Sequence, residues 1–423
     1  MDIKKQERNY GIELLRILAI VFVLILHILG RGGVYAYTGS NIATSERAAN
    51  YAVAWTLETA AYGAVDLFAL ISGFVCAGSS FKLKRWLRLW ALVVFWGVGE
   101  YLLFDKCTFI FQGFNDVLRA IIPIVQPTVE AYGATINDYK DVIFTIGTKQ
   151  FWYFNMYTML FILMPLLNAG IEKLNKKQLF VMSVALFASA SVYKTIFDKD
   201  LFVLSGGYSA IWLIIMYIFG ATVKKYYDDG FRPKKLLCLL GYFACVGITA
   251  GFRFVFDYLF NKYPDKEIFH ECNDILISYT GPFVVLGSVL LLLLFMRIDL
   301  RTKSGKKITL IFSSASFGIY IIHVHNAIWD NYLKNRFYKY AYEPTWRMVL
   351  YVFITLIMLY LFFAALEIGR IYLFKLTRLE GLIDLTGDGI TRLVKKSFAR
   401  RTPEEKSCES CAGESIADKE ASS

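Results

Sequence analysis

Ten apolar stretches, each roughly the 17–27 residues a bilayer-crossing helix requires, alternate with short basic clusters along a chain of 423 residues. They lie at 11–30, 59–79, 87–104, 151–168, 178–195, 208–224, 236–258, 275–296, 308–330 and 348–374. Hydrocarbon offers no water to backbone N–H and C=O groups, so such segments must be helices or strands of a closed barrel, and runs this long and continuous are helices. The predicted fold is therefore all-α: a polytopic integral membrane bundle of about ten transmembrane helices. Composition supports this, with 56% hydrophobic and only 19% charged residues and a mean hydropathy of +0.46. A soluble enzyme, a disordered scaffold and a secreted disulfide domain are excluded at this step. No nucleic-acid partner is expected from the net charge of +11, because its cations follow topology.

The expected orientation comes from lysine and arginine placement. With the N-terminus inside, the inner segments and the stretch from Arg370 onward hold thirty Lys and Arg, against fourteen in the outer segments. Positive residues concentrate on the cytoplasmic side, so both termini are predicted to be cytoplasmic. The start of the chain lacks a small-residue cleavage site, and its first apolar run is expected to remain as an anchor.

Residues 1–375 read as one membrane domain and 376–423 as a cytoplasmic tail. Within the domain, residues 105–150 form a long outer loop whose apolar stretch Val117–Val125 suits a short re-entrant or interface-lying helix. In the tail, Ile390, Leu393, Val394 and Phe398 recur at helical spacing beside Lys395, Lys396, Arg400 and Arg401. That pattern fits a helix lying on an anionic leaflet or a solvated tail. The last twenty residues have a disordered composition. Of seven cysteines, Cys107 and Cys272 fall in outer segments where a disulfide is open to them, and Cys408-x-x-Cys411 is read as incidental. No internal repeat is visible.

Ionisable groups inside a span cost at least ~2.5–3.5 kcal/mol and are functional by default. The first span carries Glu13, Arg16 and His27. Eleven residues separate Arg16 from His27, about 20° beyond three full turns and roughly 16 Å along the axis. Glu13 stands three residues before Arg16, within ion-pair reach. The three are expected on one inward stripe lining a shared channel.

A second cluster, Lys82-Phe-Lys84-Arg85-Trp86-Leu87-Arg88, opens the third span. Arg85 and Arg88 can present two guanidinium forks to one polyanion, or serve as a positive-inside clamp. A third cluster is Ser316-Phe-Gly-Ile-Tyr320-Ile-Ile-His323-Val-His325-Asn326. Its two histidines are about 200° apart on a regular helix. Seven-residue spacing aligns Ser316, His323 and Asp330, with Asn326 nearby, while His325 and Trp329 face elsewhere. His323 is thus the expected site residue and His325 a structural one. No helix pairs two histidines at i, i+4 beside a carboxylate, so no metal is expected. Arg253 with Asp257 and Glu367 with Arg370 are expected to neutralise each other, and Asp66 precedes a Ser72-Gly73 pair suited to close helix approach.

Taken in order, these motifs resemble the membrane acyltransferase-3 family of bacterial O-acyltransferases. Glu13, Arg16 and His27 are similar to its opening helix, and Asp66-Leu-Phe-Ala-Leu-Ile-Ser-Gly-Phe to its second-helix signature. Arg85-x-x-Arg88 resembles its cytoplasmic arginine pair, Phe151-Trp-Tyr-Phe with Pro165 its Trp-containing span, and Gly318-Ile-Tyr320-Ile-Ile-His323 its late Tyr-x-x-His helix. Glu13 stands where the family usually has Asp. The resemblance implies a stand-alone member in a bacterial cytoplasmic membrane. It would move an acyl group, acetyl by expectation, from cytosolic acyl-coenzyme A to a hydroxyl of a cell-surface polysaccharide or lipid-linked sugar.

On that reading, Arg85, Arg88 and Lys84 bind the donor's phosphates, and its pantetheine arm enters past Arg16. His27 acts as general base or takes the acyl group itself, with Glu13 orienting Arg16. Arg16 or a span-end amide stabilises the oxyanion, and His323, Tyr320 and Asp66 serve acceptor binding or proton relay. A transporter or flippase for an anionic or glycan-bearing substrate is the rival reading, since it too needs buried Arg, Glu and His. A receptor or scaffold would leave the stripe on the first span unexplained.

Overall fold

The computed structural model describes residues 8–79, 82–106, 108–127, 140, 143 and 150–399. Lys4, Lys5, Cys107, Arg400, Arg401, the Cys408-x-x-Cys411 pair and the last twenty residues lie outside the described residues. Among those described, regular structure is helical throughout.

All ten apolar stretches form helices, which we number with three others in chain order. They are α1 (Tyr10–Leu29), α2 (Ala48–Ala61), α3 (Ala64–Cys76), α4 (Leu83–Lys106), α5 (Thr108–Ile121), α6 (Trp152–Lys173) and α7 (Lys176–Phe187). There follow α8 (Ala210–Asp228), α9 (Lys235–Lys262), α10 (Pro282–Phe295), α11 (Lys303–Val324), α12 (Thr345–Leu376) and α13 (Leu379–Ala399). Helices start where short polar side chains can satisfy the first free N–H groups. Asn9 accepts from the Ile12 N–H, Ser209 from Trp212 and Thr302 from Gly305. Asn175 and Gln178 form a capping box.

Among the described residues, eight segments are long and apolar enough to cross a membrane: Tyr10–Leu29, Ala48–Cys76, Leu83–Leu103, Trp152–Lys173, Lys176–Phe197, Lys235–Lys262, Lys303–Val324 and Thr345–Leu376. Two of the ten expected spans fall short. α8 ends in Lys224-Lys225-Tyr-Tyr-Asp228 and is too polar over its length, and α10 has only 14 residues. The latter spans about 21 Å, less than the ~30 Å hydrocarbon core. Its late start is enforced by Gly281-Pro282: a residue before proline is pushed out of the α region, and proline suits the first helical position.

The described residues divide into two compact units, one comprising 8–79 and 92–371, the other 82–91 and 372–399. In the larger unit α1 packs on α2, α3, α10 and α11, and α3 packs on α8. The α3–α8 contact is backbone against backbone. A Cβ on Gly73 would lie 1.9 Å from the Tyr217 carbonyl oxygen, and one on Gly220 would lie 2.1 Å from that of Leu70. Small residues permit this approach where lipid provides no hydrophobic drive between helices. Glu367 pairs with Arg370 as expected, through two hydrogen bonds of 2.9 and 2.7 Å. Arg253 and Asp257 are joined differently: the Tyr51 hydroxyl donates to Asp257 (2.6 Å) and accepts from Arg253 (3.0 Å).

In the smaller unit α13 lies against the start of α4. Leu382, Leu385 and Leu393 on it are exposed.

Candidate active site

Two polar links tie α1 to α11. Near the start of α1, Glu13 accepts hydrogen bonds from Arg8, Arg16 and the Ser313 hydroxyl, each 2.8 Å long. Near its end, His27 Nδ1 lies 2.9 Å from His323 Nε2. Both links advance in the same direction along the two helices, so α1 and α11 run parallel.

Proton positions at the second link follow from the acceptor at its far end. His323 Nδ1 is 2.6 Å from the Ile319 carbonyl oxygen, which can only accept. His323 therefore carries its hydrogen on Nδ1, and with both rings neutral its Nε2 accepts from His27 Nδ1–H. His27 is left with Nε2 as its lone-pair nitrogen. The Trp329 ring meets the His27 ring edge-on, at a centroid distance of 4.7 Å.

His27 lines a cavity of about 520 Å³. That volume lies within the ~300–1,000 Å³ of small-molecule sites. The lining is mostly aromatic, with Tyr101, Trp152, Tyr153, Tyr208, Tyr279, Tyr320 and Trp329 prominent, and its polar side chains include Gln150 and Asn326. Among the described residues, no Lys, Arg, Asp or Glu lines it. The Tyr320 hydroxyl oxygen accepts from the Tyr153 N–H at 3.3 Å, satisfying one of the free donors at the start of α6. Its own hydrogen remains to be donated.

The expected site residues divide accordingly. His27, His323 and Tyr320 come together. Glu13 and Arg16 form the expected ion pair, but Arg16 is not among the cavity's lining residues. Val23 lines it, whereas Ala19 and Ile20, between Val23 and Arg16, are fully buried. The cavity at His27 thus does not extend along α1 to Arg16, as a single shared channel would. Asp66 is fully buried outside the lining and accepts from the Trp212 indole at 2.8 Å, holding α3 to α8.

Lys84, Arg85 and Arg88 belong to the smaller unit. There Arg88 makes two hydrogen bonds to Asp384 (2.8 and 2.6 Å) and Lys84 reaches Asp388 (3.1 Å), while Arg85 is exposed. The hydrogen bond from Arg88 holds the Asp384 carboxyl below the usual carboxylate range.

Helical phase misplaced two residues. α11 stops at Val324, because His325 takes an extended conformation (ψ 138°) and caps the short turn that follows. Asp330 therefore does not continue the Ser316–His323 line; it pairs with Arg31. Trp329, expected to face elsewhere, meets His27. His325 is structural as expected: its Nε2 donates to the Gly97 carbonyl and its Nδ1 accepts from the Ala327 N–H. The aromatic lining from Tyr208 and Tyr279 carried no sequence signal; Trp152 and Tyr153 stood in a motif without an assigned role.

Comparison with known families settles the class of protein. A family model described as an acyltransferase domain, acyltransferase 3, matches residues 9–364. The chain belongs to that family. It is a multi-pass membrane acyltransferase. No curated protein and no solved structure matches it. In the acyltransferase, the matched region contains the histidine pair and all the residues that line the cavity.

Proposed function

We propose that the acyltransferase moves an acetyl group from acetyl-coenzyme A to a hydroxyl of a neutral sugar in a cell-surface polysaccharide or lipid-linked saccharide, with His27 as general base. The observation that carries this reading is the relay Ile319 C=O···H–Nδ1 His323 Nε2···H–Nδ1 His27, which ends on a residue that lines the cavity. An imidazole oriented in this way by a second group is the arrangement acyl transfer requires of its base.

His27 Nε2 takes the acceptor hydroxyl's proton as its oxygen attacks the thioester carbonyl. The resulting imidazolium is stabilised through its Nδ1–H bond to His323. Tyr320, its oxygen already accepting from the Tyr153 N–H, donates its hydroxyl hydrogen to the developing oxyanion. As the tetrahedral intermediate collapses, the carbon–sulfur bond breaks and the imidazolium proton passes to the thiolate.

The lining supports this acceptor class. Aromatic faces pack against the C–H faces of a pyranose, Gln150 and Asn326 offer hydrogen bonds, and the described lining residues hold no cation or anion to pair with a charged sugar. The donor's phosphates need cations, and none is among the described residues that line the cavity; Lys84, Arg85 and Arg88 supply them in this reading.

The test incubates purified protein with labelled acetyl-coenzyme A and cell-surface glycan. Label should move to the glycan with the wild type and not with His27→Ala at equal membrane level. Normal transfer by His27→Ala would overturn the reading. Acid quenching during turnover adds a second readout: label left on His27 would replace direct transfer by an acyl-imidazole intermediate.

A further inference from the structure

Just past α1, Arg31 reaches across to the segment that follows α11. Its Nε donates to the Trp329 carbonyl oxygen at 3.0 Å, and a second guanidinium nitrogen pairs with the Asp330 carboxylate. The same guanidinium lies over the Trp329 ring, 5.2 Å from its centroid. Backbone bonds complete the strap: the Arg31 carbonyl accepts from the Asn335 N–H (2.9 Å) and the Gly32 carbonyl from the Phe337 N–H (2.8 Å). Trp329 is thus held between Arg31 and His27, four residues apart in sequence.

We infer that the Arg31–Asp330 ion pair is a positioning device for the site base, holding the Trp329 ring against His27 so that only one orientation of the imidazole is available. This rests on the assignment of His27 as base. A His27 ring turned over about its last side-chain bond presents carbon where Nδ1 now donates to His323, and the relay is broken. One hydrogen bond of 2.9 Å opposes that turn; the edge-on indole 4.7 Å away opposes it sterically as well. Trp329 in turn sits on a segment of π-helical turn, Trp329–Leu333, whose geometry is set by contacts rather than by helix regularity. Arg31 supplies three of those contacts from one planar group, which lysine cannot do. Arg31 and Asp330 do not line the cavity. They act through Trp329.

The experiment compares wild type with Asp330→Asn, Arg31→Gln, Arg31→Lys and the charge exchange Arg31→Asp/Asp330→Arg, all as full-length protein in detergent. Two readouts are taken: labelled-acetyl transfer at varied acceptor, and 15N NMR of histidine-labelled protein to read the His27 tautomer. Asp330→Asn and Arg31→Gln should lower kcat about tenfold with acceptor KM within about twofold, and the His27 signals should average between tautomers. Arg31→Lys should retain an intermediate kcat, and the charge exchange should recover part of the loss. Wild-type turnover with unchanged kcat and tautomer in the folded variants overturns the positioning role. A wild type that transfers no label, yet shows the tautomer change in the variants, refutes the acetyl-transfer reading and leaves the device standing. Should Arg31→Gln fail to fold, Asp330→Asn, which alters one exposed carboxylate, decides alone.

Discussion

Gly318 on α11 faces Glu367 on α12 so closely that a Cβ would lie 2.1 Å from the Glu367 carboxylate carbon. The buried carboxylate occupies that space because it also accepts from the Trp96 indole (2.6 Å) and from Arg370. α11 is therefore set against α4 and α12 by a charge network five residues before His323. Gly318→Ala should displace the helix or the network. The expected cost is about 1–3 kcal/mol, as for overpacking, with reduced activity. Thermal unfolding in detergent against wild type checks this; an unchanged midpoint would mean the network yields freely.

With its Nδ1–H donated to the Ile319 carbonyl and its Nε2 lone pair accepting from His27, His323 has no free lone pair to take a proton from substrate, so its part is to accept from His27. Replacing it by phenylalanine removes the acceptor, frees His27 to hold its proton on either nitrogen, and should lower kcat by roughly 10²–10⁴. His323→Gln, which can still present a carbonyl oxygen, should lose less. Equal losses in both would place the role of His323 in packing.

Arg88 and Lys84 are expected to receive the donor's phosphates, yet each is paired with a carboxylate on α13. Asp384→Asn with Asp388→Asn should then lower the KM for acetyl-coenzyme A several-fold, and Arg88→Ala should raise it. Steady-state kinetics at varied donor separates this from a tail that merely clamps the helix, which would leave KM unchanged.

The same pairing has a pH signature. Asp384 is held below its usual range by the hydrogen bond from Arg88, so the folded group stays charged at pH values where the unfolded one is partly protonated. Its contribution is complete above the ordinary aspartate value near ~3.9 and is lost as pH falls through the lowered one. Limited proteolysis between α12 and α13 should accelerate only at the acid end, and the onset should move in Asp384→Asn.

Glu100 and His325 are fully buried, and a Glu100 oxygen lies 3.3 Å from His325 Nδ1, a nitrogen already accepting from Ala327. Two lone pairs face each other there unless a hydrogen lies between. Glu100→Gln brings such an N–H and should keep stability and activity. His325→Ala removes the bond to Gly97 and the cap of the following turn, and should cost about 1–3 kcal/mol. Comparing the unfolding midpoints of the two variants tests this.

Much of the site was legible in the sequence because regular helices carry phase information. The Glu13–Arg16 pair follows from three-residue spacing alone. His323 was separable from His325 by angle, and Gly73 marked a close helix approach. That reasoning ended where regularity ended. The extended backbone at His325 resets the phase, so Asp330 turns to Arg31 and Trp329 to His27, opposite to what a continued helix would give.

What the sequence determined by itself was the all-helical membrane class and the inward face of the first span, since burial cost and a 3.6-residue period are local properties. Tertiary structure decided which groups meet. The bond between His27 and His323 joins residues 296 apart, the cavity at His27 stops short of Arg16, and tail carboxylates pair with Lys84 and Arg88. Spacing along one helix places a side chain on a face; only packing between helices supplies the partner on the other side.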